Sequence, residues 1–189
     1  MLLLFMNITK QQIEQIENFC LEFYKKLDFA HNVEHMNRTI NIAGFIAKKE
    51  GANPEIVRLG AMVHQFHDNV DTLREFLNKI DLDPVVINKL IECTKFRPFK
   101  ENSKKNASLE AKVVFDADAL QVLGPKGIIR EITLNIKARN KPLNQSVQDA
   151  KEVERKFYQS LQTETAKKLI ERPHLLMKEF WEIYEEALF

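Results

Sequence analysis

The stretch Leu59-Gly-Ala-Met-Val-His-Gln-Phe-His-Asp68 carries two of the chain's five histidines and a carboxylate behind an apolar approach. Read as a helix, it places His64, His67 and Asp68 at i, i+3 and i+4, which are neighbours on one face. Two imidazoles and a carboxylate on one face suit a divalent metal of the first transition row. His31 and His35 lie upstream, so four of the five histidines fall between residues 31 and 67. A lone histidine in an apolar setting is more often a core or capping residue than a ligand. The clustering is what points to chemistry.

The surroundings of this stretch are helical in pattern. Asn53-Pro54 offers a cap and a proline at the first helical position, and Ile56, Val57, Leu59, Gly60 and Val63 lead into His64. Before it, a helix is expected from about Val33 to Glu50, ended by Gly51, and another from about Asn7 to Leu27. After it, helices are expected at about 70–79 and 84–94, from about Ser108 to Val122, and from about Gly127. Two more close the chain, from about Val147 to Leu169 (broken near Thr163) and from about Pro173 to Ala187. Residues 96–107 hold no periodic pattern and read as a loop. Five glycines and six prolines leave little turn chemistry for strands, and no period-2 alternation is sustained. The fold class is all-α.

With 189 residues the chain can bury a full core and is read as one domain. Its 28 Lys+Arg balance 27 Asp+Glu, which leaves no basic excess to bind a nucleic-acid backbone. The short basic runs Lys95-Phe-Arg-Pro-Phe-Lys100 and Lys104-Lys105 read as solvated loop. Cys20 and Cys93 follow no metal or redox spacing and suit a reducing compartment. The apolar start, Met1-Leu-Leu-Leu-Phe-Met6, lacks a basic n-region, and no run reaches membrane-span length. A cytoplasmic protein without membrane or nucleic-acid partners is expected, as a monomer or homodimer.

Two other groups can join the histidines. His31 and His35 are four apart, and Arg38 follows His35 by three, which sets a guanidinium beside whatever His35 binds. A metal ligand next to an arginine is suited to holding a phosphate. Val113-Val-Phe-Asp-Ala-Asp-Ala-Leu120 then places two acids after an apolar run, where charge is costly unless paired or metal-bound. In a plainer account Asp116 caps a helix and Asp118 is exposed.

His35-x-x-Arg38, Leu59-Gly-Ala-Met-Val-His64 and Asp116-Ala-Asp118-Ala-Leu, in that order, resemble the HD-domain superfamily of metal-dependent phosphohydrolases, in its small stand-alone bacterial form. Gly124-Pro-Lys-Gly-Ile-Ile-Arg130 and Phe157-Tyr-Gln-Ser-Leu-Gln-Thr-Glu-Thr-Ala-Lys167 extend the likeness over roughly residues 28–188. The resemblance implies an HD-type helical bundle, with a motif core over about 28–135 and C-terminal helices over about 146–188 packed on it. It makes His35 the first ligand and Asp118 the last. The family's His-Asp doublet reads His64-Gln65 here, while an intact His67-Asp68 follows three residues later. Either His64 is the family histidine with Asp68 supplying the carboxylate one turn on, or His67-Asp68 is the doublet and His64 supports it.

The resemblance thus implies one divalent transition metal (Mn, Co, Ni, Fe or Zn) on His35, His64 and/or His67, Asp68 and Asp118. Histidines for a second metal are missing: Ile91-Glu-Cys-Thr-Lys-Phe96 has none, and His174 is read as a surface residue. His31 is a candidate supporting group. Asp68, Asp71 or Glu34 would take a proton from the attacking water. Arg38, with Lys126 or Arg130, would hold a small phosphorylated substrate, a nucleotide being the favoured class. Two other readings compete: a degenerate nucleotide- or partner-binding protein, suggested by Gln65, and an iron-dependent oxygenase, which the missing histidines disfavour. Phe180 and Trp181 are read as core or dimer contacts.

Overall fold

The computed structural model describes residues 8–99 and 106–186. The apolar start of the chain and Lys104-Lys105 of the expected loop lie outside those residues. Nine α-helices are found among the described residues, and no strand. They are α1 (Lys10–Tyr24), α2 (Val33–Glu50), α3 (Pro54–Val63), α4 (Val70–Lys79), α5 (Pro84–Lys95), α6 (Leu109–Ala119), α7 (Gly124–Lys137), α8 (Leu143–Gln159) and α9 (Glu164–Glu186). A 3₁₀ turn, His64–Asp68, joins α3 to α4. No helix of the described residues is long and apolar enough to cross a membrane.

The short helix α3 is the centre of the molecule. Asn53 caps it by accepting from the Glu55 and Ile56 N–H groups, and Pro54 presets its first turn. Seven of its ten residues are buried, including Ile56, Val57, Leu59 and Val63. A helix that is apolar nearly all round must be enclosed, and α2, α5 and α6 enclose this one. The approach is close at Gly60, where an added Cβ would meet Cys93 Sγ at 2.7 Å and Val114 Cγ2 at 3.2 Å. One face of α3 joins a core of α2, α5 and α6 side chains, among them Ile46, Val113 and Phe115. The other joins Ile16, Tyr24, Leu73 and Leu90 in a core shared with α1, α4 and α5.

The outer layer is α7, α8 and α9, packed through Ile128, Val147, Ala150, Met177 and Trp181. Here the structure corrects the expected boundaries. The chain breaks before Glu164, not at Pro173, and α9 runs through that proline. Its buried residues Ala166, Ile170, Met177 and Trp181 share one face across the proline, so packing outweighs the lost hydrogen bond. His174 is not a free surface group: its ring stacks on Tyr158 at 3.4 Å between centroids. Trp181 is core and donates Nε1–H to Glu154 at 3.0 Å, whereas Phe180 remains 44% exposed.

Candidate metal centre

Three elements supply the buried polar residues. Asn32 caps α2 by accepting from the His35 N–H, which fixes His35 in the first turn of that helix. His64 begins the 3₁₀ turn at the end of α3, and Asp118 lies in the last turn of α6. His35 and His64 are 0% and 1% exposed. Their Nε2 atoms stand 3.1 Å apart, and Asp118 Oδ1 is 3.4 Å from the first and 3.6 Å from the second.

The other side of each ring decides what these atoms offer. His35 Nδ1 is 3.1 Å from Gln121 Oε1, and His64 Nδ1 is 2.7 Å from the Ala61 carbonyl. Both oxygens only accept, so each Nδ1 carries the proton and donates it, with the Tyr24 hydroxyl 3.2 Å from His64 Nδ1 as a weaker second partner. In their neutral form the rings therefore turn Nε2 lone pairs toward one another and toward a carboxylate. Three acceptors at one point favour a positive charge between them, either a proton or a metal ion. The spacing fits a metal. Two ligand atoms about 2.1 Å from an ion lie about 3.0 Å apart at a right angle and about 3.4 Å at the tetrahedral angle. His35, His64 and Asp118 form the one group of this kind found among the described residues.

Electrostatics agree with that arrangement. Burial pushes the His35 imidazole down to about 3, a bias to the neutral form that a ligand needs. Burial pushes the Asp118 carboxyl up, but positive charge beside it, a proton shared with the His64 and His35 rings and the Arg97 guanidinium, outweighs that. The carboxyl is held well below the usual range and stays ionised.

His67 and Asp68 are placed elsewhere. Asp68 is 87% exposed on its side chain and faces His67 across 3.4 Å. The reason is the backbone. In an α-helix Asp68 would lie about 40° round from His64, but a 3₁₀ turn advances about 120° per residue and rotates it about 120° away. Phe66, at φ −77° and ψ 16°, interrupts even that turn, and its ring is buried on Phe23 with centroids 3.8 Å apart. The residue the turn does bring inward is Gln65. Its Nε2 is 3.0 Å from His64 Nε2 and 3.2 Å from His35 Nε2.

The cationic residues divide as well. Arg38 lies beside the centre, paired with Glu34 and donating Nε–H to Gln121 Oε1 at 3.1 Å. Arg130 donates to the Ala30 carbonyl at 2.7 Å and the Gln121 carbonyl at 3.3 Å, and its charge acts on Asp118 and His35. Its buried Nε has no partner. Lys126 is exposed on the first turn of α7. Asp71 is exposed, and Glu34 is engaged by Arg38. His31 stands edge-on to His35 at 5.7 Å and is held by Asp28 at 3.0 Å.

Two residues were missed from the sequence. Gln121 ties the centre together: it accepts from His35 and Arg38 and donates to Thr39 Oγ1 at 2.7 Å. Its position three residues after Asp118 was the available signal. Arg97 was read as loop charge, yet its field reaches both Asp118 and His67. It is anchored by donating to the Phe96 carbonyl at 2.8 Å.

No protein-family model matches the chain. The uncharacterised protein YpgQ of Bacillus subtilis is 29% identical over 134 residues, which are 64% of this chain and 64% of that protein. The crystal structure of YpgQ in complex with ADP superposes with a TM-score of 0.73 at 23% identity, covering 94% of this chain and 98% of that one. A Lactobacillus plantarum protein gives 0.79 at 23% identity over 95% and 98% of the two chains. A Bacillus thuringiensis structure described as an HD-superfamily hydrolase gives 0.71 at 22% identity over 94% and 96%. The chain has the fold of the HD-superfamily hydrolases.

Proposed function

We propose that this protein is a metal-dependent phosphohydrolase acting on a small phosphorylated metabolite, with a nucleotide as the favoured class. The observation that carries this reading is the meeting of His35 Nε2, His64 Nε2 and Asp118 Oδ1 at ligand spacing, with both Nδ1 protons committed outward. A divalent metal bound there supplies Lewis-acid chemistry, lowering the pKa of a coordinated water and polarising a phosphoryl oxygen. Asp118 supplies the negative charge of the centre, and Gln121 keeps the His35 ring in the ligating tautomer. Arg38 and Arg97 hold phosphate oxygens and offset charge as the leaving oxygen departs.

The binding of ADP by YpgQ supports a phosphorylated ligand here, since the two folds align over nearly their full lengths. The base is the part of the mechanism that changes most from the sequence reading. Asp68 points away from the centre, so proton transfer falls to a group carried by the substrate, to solvent, or to Glu34 once phosphate draws Arg38 from it. Metal analysis of purified protein, followed by a panel of nucleotides and phosphate esters with added Mn²⁺, Co²⁺ or Ni²⁺, tests the proposal. One bound metal and metal-dependent phosphate release are expected. Metal-free protein that binds nucleotide without turnover would select the binding-module reading instead.

A further inference from the structure

Gln65 occupies the position where the resembled family carries the second residue of its doublet, a carboxylate. Its amide stands over the same point as the two imidazoles, 3.0 Å from His64 Nε2 and 3.2 Å from His35 Nε2. As oriented, the amide N–H groups donate to both lone pairs, which fits a centre without a cation. A cation on those lone pairs reverses the preference, because the amide hydrogens would then face positive charge. The terminal torsion of glutamine is soft, and a half-turn about it exchanges nitrogen and oxygen in nearly the same place. Gln65 is half-buried, so solvent or substrate can meet the end turned outward.

We propose, resting on the metal-centre reading above, that the Gln65 amide oxygen is the fourth protein donor of the loaded centre, a neutral ligand in place of a carboxylate. Three observations support it. The amide already lies at the spacing of a neighbouring ligand from both imidazole nitrogens. No other carboxylate joins the group among the described residues, since Asp68 faces His67. With the Nδ1 protons held by Gln121 and Ala61, rings that ligate through Nε2 bring no charge, so charge balance rests on Asp118 alone. With a divalent ion the protein then leaves a net charge of +1, where a second carboxylate would leave zero. Amide oxygen is a hard donor of the kind that suits Mn²⁺ or Mg²⁺ more than softer ions. The extra positive charge weakens the hold on the resident metal and strengthens attraction for an incoming phosphate.

The test compares wild type with Gln65→Glu, which keeps the length and adds the charge, and Gln65→Leu, which removes the donor. Mn²⁺ and Co²⁺ binding are measured by calorimetry on the full chain, and the visible absorption of bound Co²⁺ reports the ligand set. Binding at least tenfold tighter in Gln65→Glu and tenfold weaker in Gln65→Leu, with a changed Co²⁺ spectrum in the latter, is expected. Inorganic phosphate, titrated into metal-loaded protein, is expected to bind wild type more tightly than Gln65→Glu. Metal affinity and spectrum unchanged in Gln65→Leu would overturn the proposal, as would tighter binding, because the amide would then merely fill the cation's place. Should Gln65→Leu fail to fold by circular dichroism, the Gln65→Glu comparison decides alone: no gain in affinity there overturns the proposal. If wild type takes up neither metal, the metal-centre reading falls and this one with it. If wild type loads and only the Gln65 effects are missing, the metal centre stands and this inference alone is lost.

Discussion

Asp116 and Asp118 stand two residues apart on α6, about 200° round the helix from each other, and the molecule uses them in opposite ways. Asp116 is fully buried and satisfied by protein. It accepts from the Gln162 N–H at 2.9 Å, the Thr163 N–H at 2.7 Å and the Thr163 hydroxyl at 2.7 Å, which fastens the start of α9 to the core. Asp118 faces two imidazole nitrogens whose lone pairs point at it. One carboxylate has all the donors it needs; the other is arranged among acceptors. Burial alone therefore does not mark a functional acid. What marks it is a cluster of acceptor atoms at the spacing of ligands around a cation.

Asp118→Asn should break the contrast most sharply. It removes the one formal charge among the candidate ligands, so uptake of Mn²⁺ or Co²⁺ is expected to fall by more than a hundredfold and phosphatase turnover to vanish. Helical circular dichroism should be unchanged, because Asp118 anchors no other helix. A fully metal-loaded, active Asp118→Asn protein would sink the centre as described. Asp116→Ala should do the reverse. It orphans two backbone N–H groups and a hydroxyl at a buried helix start, at a cost of about 3 kcal/mol in urea unfolding. The folded fraction should still bind one metal with wild-type affinity. Unchanged stability would show that α9 is held mainly by its apolar face.

The sequence made the all-α class and most helices legible, because the caps and the 3.6-residue periodicity are local signals. Asn53-Pro54 and Gly51 marked the ends of α3 and α2 where they are found. The break near Thr163 was also visible, although its cause, a long-range cap from Asp116, was not. For the site, residue types and order were enough to nominate His35, His64 and Asp118, which the structure brings together. The inward placement of Gln65 rather than Asp68 was hidden, since it depends on the α-helix tightening to a 3₁₀ turn at His64. That change follows the burial of Phe66 against α1, a tertiary contact that no local pattern shows. Gln121 and Arg97 were harder to read for a related reason: the groups of the centre on which they act are distant in sequence.

Gln121 extends the comparison to the groups behind the ligands. It holds the His35 Nδ1 proton, Arg38 and Thr39 at once, in the way Thr163 and Gln162 hold Asp116. Gln121→Leu should leave His35 free to change tautomer and lower Mn²⁺ affinity by about 10–100-fold. Gln121→Glu, which keeps the acceptor, should recover most of the loss. A Leu variant as tight as wild type, measured by calorimetry, would show that packing alone orients the ring.

The smallest effect is expected where the sequence looked richest. His67 and Asp68 have the residue types of the site but not its geometry, since they pair with each other at the rim with Asp68 87% exposed. An exposed pair of this kind contributes little, about 0–1 kcal/mol. His67→Ala and Asp68→Ala should therefore change stability by no more than about 0.5 kcal/mol and metal affinity by less than about twofold. A tenfold loss of Mn²⁺ binding in Asp68→Ala would mean that loading rewinds residues 64–68 into an α-helix. The carboxylate at i+4 would then swing to the His64 face. That rewinding would lift Phe66 from its seat on Phe23, so it should also appear as increased amide exchange at the end of α1. The two measurements together separate a centre already formed in the metal-free fold from one assembled by the metal.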